Sequence, residues 1–499
     1  MQRKATKRAT SRPGLAALLG IGLLSLSGCA VGPDFVRPEA PQAKAYDHPE
    51  SPSRHTGPEF AAPRFDEGAG PAANWWRSFR SPAVDSTVAA GLAGNPGLLA
   101  AQASLRQSQE NLRAGKGLFF PQVGAGFNQS RGNLPSSAGG SAKTGTILNL
   151  STLSVSVSYA LDLFGGQRRA VEGLGAQVDQ QRAETAGTYM MLSGNIVNTC
   201  IAIAAYREQI DEIEQLISIQ KEQLSIAQTQ YRSGIATYAA MASLQGQLDS
   251  LEASLPPVRQ QLSQAEQLLA ALVGRTPAEW RAPELKLSAI SLPEKLPLSL
   301  PSELVRQRPD ILSAEARLHA SNAAIGVATA AMLPSITLNG TYERTSSEMQ
   351  GLGDSGNGFW GIGAGVAQPL FNGGTLNAKR RAAIAARDQS LALYRQTVLG
   401  AFAQVADLLR ALGHDAELAD AQSRAVKDTK LALDLTQANY RSGLAGYVQV
   451  IVADTQYRQA RIGLLQARAR QLQDAAALHV ALGGGWQQDA EARKKAGLE

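Results

Sequence analysis

Aromatic side chains are scarce in this sequence, with 11 Phe, 11 Tyr and 5 Trp among 499 residues although 44% of the chain is hydrophobic. The large rings that usually fill globular cores are few, and the length suffices for two or three domains, so one compact core is not expected. Excess charge is also nearly absent. Of the formal +6, five positive charges are Arg3, Lys4, Lys7, Arg8 and Arg12, in a stretch without Asp or Glu before residue 29, which leaves the rest of the chain at +1. That excludes the clustered basic face a nucleic-acid partner needs. Catalytic and metal-binding signatures are missing as well. The histidines, His48, His55, His319, His414 and His479, show no ligand spacing, and no Ser sits in a Gly-x-Ser-x-Gly elbow. No Gly-rich phosphate loop of Walker type occurs. Methionine, with six residues and no cluster, offers no soft-ligand path for a metal. An enzyme and a cofactor are therefore not expected.

Long hydrophobic runs are lacking too. The longest, Leu15 to Leu26, is about 12 residues against the ~20 needed to span a bilayer. Preceded by a basic stretch, it reads as a signal peptide over residues 1–28. It ends Leu26-Ser27-Gly28-Cys29, which resembles the bacterial lipobox, so Cys29 is the expected acylation site and mature N-terminus. Ala30 follows, where an Asp would resemble an inner-membrane retention signal. Outer-membrane delivery is expected. Cys200 then has no disulfide partner and reads as a small buried hydrophobe.

What the chain does have is an internal repeat. Asn95-Pro96 and Arg308-Pro309 each open a helical pattern that a proline closes, at Pro121 and Pro334. At a constant offset of 213, Leu99, Ala101, Ala103, Leu105 and Ser108 match Leu312, Ala314, Ala316, Leu318 and Ser321. Leu163-Phe164 matches Leu370-Phe371, and Tyr231-Arg232-Ser233-Gly234 matches Tyr440-Arg441-Ser442-Gly443. Each half reads as a short helix, two strands and two long helices. The segments are 29–94 before the repeats, 95–274 for the first, 275–307 for a linker, 308–485 for the second and 486–499 for a tail.

The long helices carry a seven-residue period: Tyr189, Ile196, Ile203, Ile210, Ile217, Leu224 and Tyr231 in one half, and Ile384, Leu391, Val398, Val405, Leu412, Ala419, Val426, Leu433 and Tyr440 in the other. A strict heptad keeps its seam facing a neighbour only through left-handed supercoiling, which predicts coiled-coil helices. The first, from Gly166 to Tyr231, would run ~100 Å at 1.5 Å per residue.

The strands alternate. Val155, Val157 and Tyr159 interleave with Ser154, Ser156 and Ser158, and Ile336, Leu338 and Tyr342 with Thr337, Asn339 and Thr341, while Phe127 and Trp360, Ile362, Ala364 and Val366 extend the pattern. One apolar and one small polar face suits a membrane barrel with a wet lumen; a soluble sheet packed on helices has the same period. Polar, glycine-rich loops are expected over Arg131–Thr146 and Ser346–Gly358. Four strands cannot close a barrel that needs about eight, so copies must associate, as a dimer, trimer or tetramer.

Val31-Gly32-Pro33-Asp34-Phe35-Val36-Arg37-Pro38 after the lipobox, then Asn74-Trp75-Trp76-Arg77-Ser78-Phe79, Arg306-Gln307-Arg308-Pro309-Asp310-Ile311, Leu333-Pro334-Ser335 and Ala481-Leu482-Gly483-Gly484-Gly485-Trp486, resemble TolC-like outer-membrane efflux lipoproteins of the nodulation-protein and multidrug-resistance type. The resemblance covers nearly the whole mature chain. It implies an α+β membrane protein: a homotrimer whose twelve-stranded outer-membrane β-barrel, four strands per chain, continues into a periplasmic α-helical coiled-coil barrel with a mixed equatorial domain built partly from the region of Thr276 to Arg306. It further implies a passive exit duct, fed through a periplasmic adaptor by an inner-membrane pump of the resistance-nodulation-division type. Organic compounds are the leading cargo, with metal ions, oligosaccharides or proteins as alternatives. By the same resemblance Arg232, Ser233, Gly234, Arg441, Ser442 and Gly443 are the adaptor-docking tips, and the periplasmic gate lies along Tyr447 to Arg458. Relatives commonly carry an Asp in a Leu-Asp-Ala motif with an Arg three residues on; here Val452 and Thr455 stand at those positions, and Gln449 at an earlier Asp of some members. Asp454 and Arg458, four apart, are expected to form an exposed, solvated pair of ~0.3–0.5 kcal/mol, leaving closure to apolar packing at Val452.

Overall fold

The structure, a computed structural model, describes residues 30–41, 45–46, 64–134 and 146–486. Cys29, the signal segment 1–28, residues 135–145 and tail residues 487–499 lie outside the described residues. In chain order the elements are β1 (Arg64–Glu67), α1 (Pro82–Gly94), α2 (Pro96–Lys116), β2 (Gln122–Leu134), β3 (Thr146–Leu161), α3 (Gly166–Arg232) and α4 (Tyr238–Val273). Then follow β4 (Lys295–Leu298), α5 (Pro301–Gln307), α6 (Pro309–Ala330), β5 (Ser335–Ser346), β6 (Gly358–Ala367), α7 (Thr375–Arg441) and α8 (Tyr447–Ala481). The chain divides into two compact units: the described parts of Met1–Arg37, Gln107–Val178 and Ala316–Ala392, and those of Pro38–Arg106, Asp179–Glu315 and Leu393–Glu499.

The first unit holds an antiparallel four-stranded sheet in the order β2-β3-β5-β6. Register decides which side chains share a face, because a one-residue slip would exchange the faces. Val123 pairs with Val157, Val155 with Tyr342, Tyr159 with Leu338, and Tyr342 with Trp360. The apolar alternates of all four strands thereby gather on one side: Val123 and Phe127, Val155 and Val157, Ile336 and Leu338, Ile362 and Val366. The other side carries Ser154, Ser156, Ser158, Thr337, Asn339, Thr341 and glycines. Both faces are open, and β2 and β6 each keep one unpaired edge. The first expected loop is shorter than its composition suggested, since β2 runs to Leu134 and β3 begins at Thr146, so Arg131 to Leu134 are paired strand rather than turn. Cross-strand hydrogen bonds override the weak strand preference of Arg-Gly-Asn. Over Ser346–Gly358 the chain makes two 3-10 turns, Met349–Gly353 and Ser355–Asn357.

Where β3 turns into α3, Asp162 accepts the free amides of Gln167 (3.0 Å) and Arg168 (2.9 Å), capping the helix. The N-terminal strap lies here. Val31 donates to the Phe164 carbonyl at 3.0 Å, Arg169 reaches Asp34 at 2.6 Å and Glu172 at 2.8 Å, and Phe35 stacks on His319 at 4.3 Å. Gly165, at φ +75°, and Gly326 accept the strap closely: a Cβ on either would come within 3 Å of its backbone.

In the second unit the heptad seam is buried through its middle. Ile210, Ile213, Ile217 and Leu224 of α3 pack with Leu248, Leu255 and Val258 of α4. At roughly 1.5–3 kcal/mol for each fully buried side chain, this outweighs the ~3 kcal/mol that each interior proline costs a helix, so α4 continues through Pro256 and Pro257. Val398, Val405, Leu412, Ala419 and Leu433 form the seam of α7, whereas Tyr231 and Tyr440 are exposed at the hairpin ends.

β1 and β4 pair in parallel, joining the segments before and between the repeats. The sequence motifs nearby are structural clamps. Arg308 forks onto Asp310 at 3.0 and 2.7 Å and donates to the Ala481 carbonyl at 2.8 Å, and Trp486 donates to the Gln307 carbonyl at 3.2 Å. Trp75 stacks on buried His479 at 5.1 Å. Cys200 is fully buried, and burial pushes its thiol up to about 12, so it stays a neutral hydrophobe.

Two buried groups in this unit titrate in opposite senses. Burial holds His479 down to about 4, and neither ring nitrogen has a partner among the described residues. Its contribution is present above pH 6.5 and lost as pH falls through 4, about 3 kcal/mol over that window. Burial, then a hydrogen bond and like charge from Asp474, push Asp415 up to about 7, so its contribution is present below pH 3.8 and lost as pH rises through 7. Thermal unfolding from pH 4 to 7 is expected to separate them: His479→Leu removes the acid-side loss, and Asp415→Asn steepens it relative to the wild type.

Candidate functional site at the helix-hairpin ends

Each pair of long helices reverses at a short turn in the second unit, between α3 and α4 and between α7 and α8. The two turns are built alike. Gly234 donates to the Tyr231 carbonyl at 2.9 Å and Ile235 to Gln230 at 2.8 Å; Gly443 donates to Tyr440 at 3.0 Å and Leu444 to Asn439 at 2.8 Å. This pair of bonds ends a helix through a residue in the left-handed conformation, and Gly234 and Gly443 take φ of +74° and +78°. Ser233 and Ser442 turn their hydroxyls back onto Thr229 and Ala438. Tyr231 and Tyr238 meet edge to face at 5.8 Å, and the rings of Tyr440 and Tyr447 meet tilted at 5.2 Å, bracing each hairpin across its turn. Arg232 and Arg441 close the helices and are exposed. Beyond them stand Ile235 and Leu444, 78% and 81% exposed, apolar tips that the sequence analysis did not select.

The first three turns of α8 divide the other candidates between two faces. Val450, Ile451 and Ala453 are buried, with Val450 and Ala453 packed against Leu433, Tyr447 and Tyr457. Gln449 and Val452 lie on the open side, Val452 at 45% exposure. Thr455 is half-buried and donates its hydroxyl to the Ile451 carbonyl at 2.9 Å. The expected solvated pair is different in the structure. Asp454 and Arg458 do pair, at 3.1 Å, but both are mostly covered, and Arg458 also reaches Glu212 of α3 at 3.2 Å. Glu212, with its side chain 9% exposed, takes Arg461 at 2.9 Å on its other oxygen. Tyr447 donates to Glu222 at 2.7 Å, a bond that raises its proton affinity. The pair is thus part of an interhelical network, because a carboxylate 246 residues away offers a second charge in a covered site. No local signal points to Glu212 or Glu222; only Arg461, one turn beyond Arg458, was within sequence reach.

The arrangement holds no nucleophile, paired general acid and base, or metal-ligand cluster among the described residues. What it offers is two rigid apolar tips and a helix bound to its neighbour on one side and open on the other. A family model described as outer membrane efflux protein matches residues 89–275 and 300–484, one match to each repeat. The pyoverdine export outer membrane protein OpmQ of Pseudomonas aeruginosa is 30% identical over 420 residues, covering 83% of this chain and 88% of that protein. The cation efflux system protein CusC of Escherichia coli is 27% identical over 470 residues, covering 93% and 97%. Among solved structures, the outer-membrane channel OprN superposes with a TM-score of 0.78 at 26% identity, covering 92% of this chain and all of that one.

Two outcomes follow from the geometry. A Cβ added at Gly234 or Gly443 meets no atom within 4 Å, but valine there must adopt positive φ, so each is expected to cost ~1–2 kcal/mol confined to the turn. Hydrogen exchange at Ile235 or Leu444 should speed while the global melting temperature holds. Glu212→Ala strips both Arg458 and Arg461 of a carboxylate and is expected to destabilise by ~1–3 kcal/mol. A double-mutant cycle with Arg461→Ala should return a coupling above the ~0.5 kcal/mol of an exposed pair.

Proposed function

Because the chain belongs to the outer membrane efflux protein family, whose members are channels and not enzymes, we propose that it is the exit duct of a tripartite efflux machine, working as a homotrimer with a twelve-stranded barrel. The observation that carries this reading is the four-stranded sheet whose apolar alternates gather on one face and whose two edges are unpaired among the described residues. In hydrocarbon each unpaired edge group costs several kcal/mol, which pairing β6 of one copy with β2 of the next removes. Lipid then meets Val123, Phe127, Ile362 and Val366, and the serine, threonine and glycine face lines water.

Cargo arrives from an inner-membrane pump of the resistance-nodulation-division type through a periplasmic adaptor. The adaptor meets the two hairpin ends, where Arg232, Ser233, Gly234 and Arg441, Ser442, Gly443 shape the turns and Ile235 and Leu444 present apolar contacts. The duct supplies no energy. Drugs and other small organic compounds are the proposed cargo. That one relative is named for pyoverdine and another for cations fits a duct whose pump makes the choice. Acylation at Cys29 anchors the N-terminus, and the periplasmic closure lies along Gln449 and Val452, whose open face is the one available to other copies, while Asp454, Thr455 and Arg458 are engaged within the protomer.

Cross-linking of the purified protein should give trimers, and planar-bilayer recording should show conductance; a protein that is monomeric and never conducts refutes the channel reading. Val452→Ala is expected to raise basal conductance more than Asp454→Ala, with little response of the closed-state leak to salt. The reverse order means the lock is the Glu212 network. Mass spectrometry of the N-terminal peptide should find acyl chains on Cys29.

A further inference from the structure

At the end of the sheet where β2 starts and β6 finishes, both edge strands are flanked by the same sequence of chemistry. Before β2 stand exposed Lys116, Leu118 and Phe120. After β6 come Leu370 and Phe371, each 92% exposed, and then Lys379, Arg380 and Arg381, exposed and consecutive in the second turn of α7. The neighbouring acids in this unit are occupied: Glu110 by Arg113, Asp162 by Arg168, Glu172 by Arg169 and His319, and Asp388 by Arg387. Lys116, Lys379, Arg380 and Arg381 have no ion pair with any of them.

The repeat shows that this turn is not cationic for reasons of fold. Aligned by the equal lengths of α3 and α7 and by the match of Tyr231 to Tyr440, the equivalents of Lys379, Arg380 and Arg381 are Ala170, Val171 and Glu172. Those are half-buried, and Glu172 is held by Arg169 and His319. Helix stability does not call for the cations either, since the dipole favours acids near an N-terminus. Aromatic and aliphatic side chains at the rim of an apolar sheet face, followed by cations one step farther out, match the layering of a bilayer, from hydrocarbon through the interface to charged headgroups.

We propose that each seam between copies, where β6 of one meets β2 of the next, binds an anionic phospholipid of the periplasmic leaflet. Leu370, Phe371 and Phe120 hold the acyl and glycerol region, and Lys379, Arg380, Arg381 and Lys116 hold the phosphate. The site rests on the oligomeric barrel proposed above. Lipid at the seam fills the space between copies and cross-braces the strand pairing that closes the ring.

Native mass spectrometry of the full-length protein with added phosphatidylglycerol or phosphatidylcholine tests it. The wild-type trimer is expected to prefer phosphatidylglycerol and to lose the preference at 0.5 M salt. Each cation near an anionic surface is worth about five-fold in affinity, so K379Q/R380Q/R381Q should bind phosphatidylglycerol roughly 100-fold more weakly while remaining trimeric. The charge-keeping variant K379R/R380K/R381K should retain the preference. A wild-type trimer without headgroup preference, or a triple glutamine variant within two-fold of wild type, overturns the lipid site and leaves the channel reading standing. Altered ion selectivity in the glutamine variant with unchanged lipid binding overturns it too, placing the cations in the lumen. A wild-type protein that does not oligomerise overturns the channel reading, and the seam with it.

Discussion

Unpaired backbone at the edges of β2 and β6 is the constraint on which the rest of this protein depends. In the proposed barrel the apolar face of this sheet meets hydrocarbon, which offers no water to an open N–H or C=O. Four strands leave two such edges, so the chain is incomplete alone, and the proposed seam, its lipid and the common lumen all answer that one deficit. The long helices continue from the same strands, α3 after β3 and α7 after β6, so in the proposed assembly the number of copies that satisfies the edges also sets how many helices surround the lumen.

The two repeats share a plan and diverge where their surroundings differ. Glu172 sits under the N-terminal strap, held by Arg169, whereas its counterpart Arg381 is exposed. α4 carries Pro256 and Pro257 through a packed stretch, and α8 has no proline. Thr237 caps α4 by accepting from Ala240 at 3.3 Å, while Gly446 opens α8 without a side-chain cap. α8 is bound to α3 through Glu212 and Glu222 instead.

Polar burial in the second unit has a related logic. Burial favours the neutral forms of His479, stacked on Trp75, and of Asp415, beside Asp474, and because the first costs stability in acid while the second adds it there, the two titrations partly offset one another.

The repeat, the heptads and the alternating strands were legible in the sequence because each is a local periodicity that backbone geometry converts directly into a buried seam or a sheet face. The turns at Gly234 and Gly443 were legible for the same reason, since only a residue without Cβ takes positive φ freely. Register, however, is a pairing between distant residues, and only the fold put Val123, Val157, Leu338 and Ile362 on one side. The end of the first loop was misjudged because ladder hydrogen bonds outweighed local composition. Asp454 and Arg458 looked like a solvated pair because helical spacing says nothing of what lies across the helix, and Glu212, 246 residues from Arg458, was brought beside it by packing alone. Local pattern determined the elements of this protein; contact between distant segments decided which charges are bound, which faces stay open, and therefore where partners can bind.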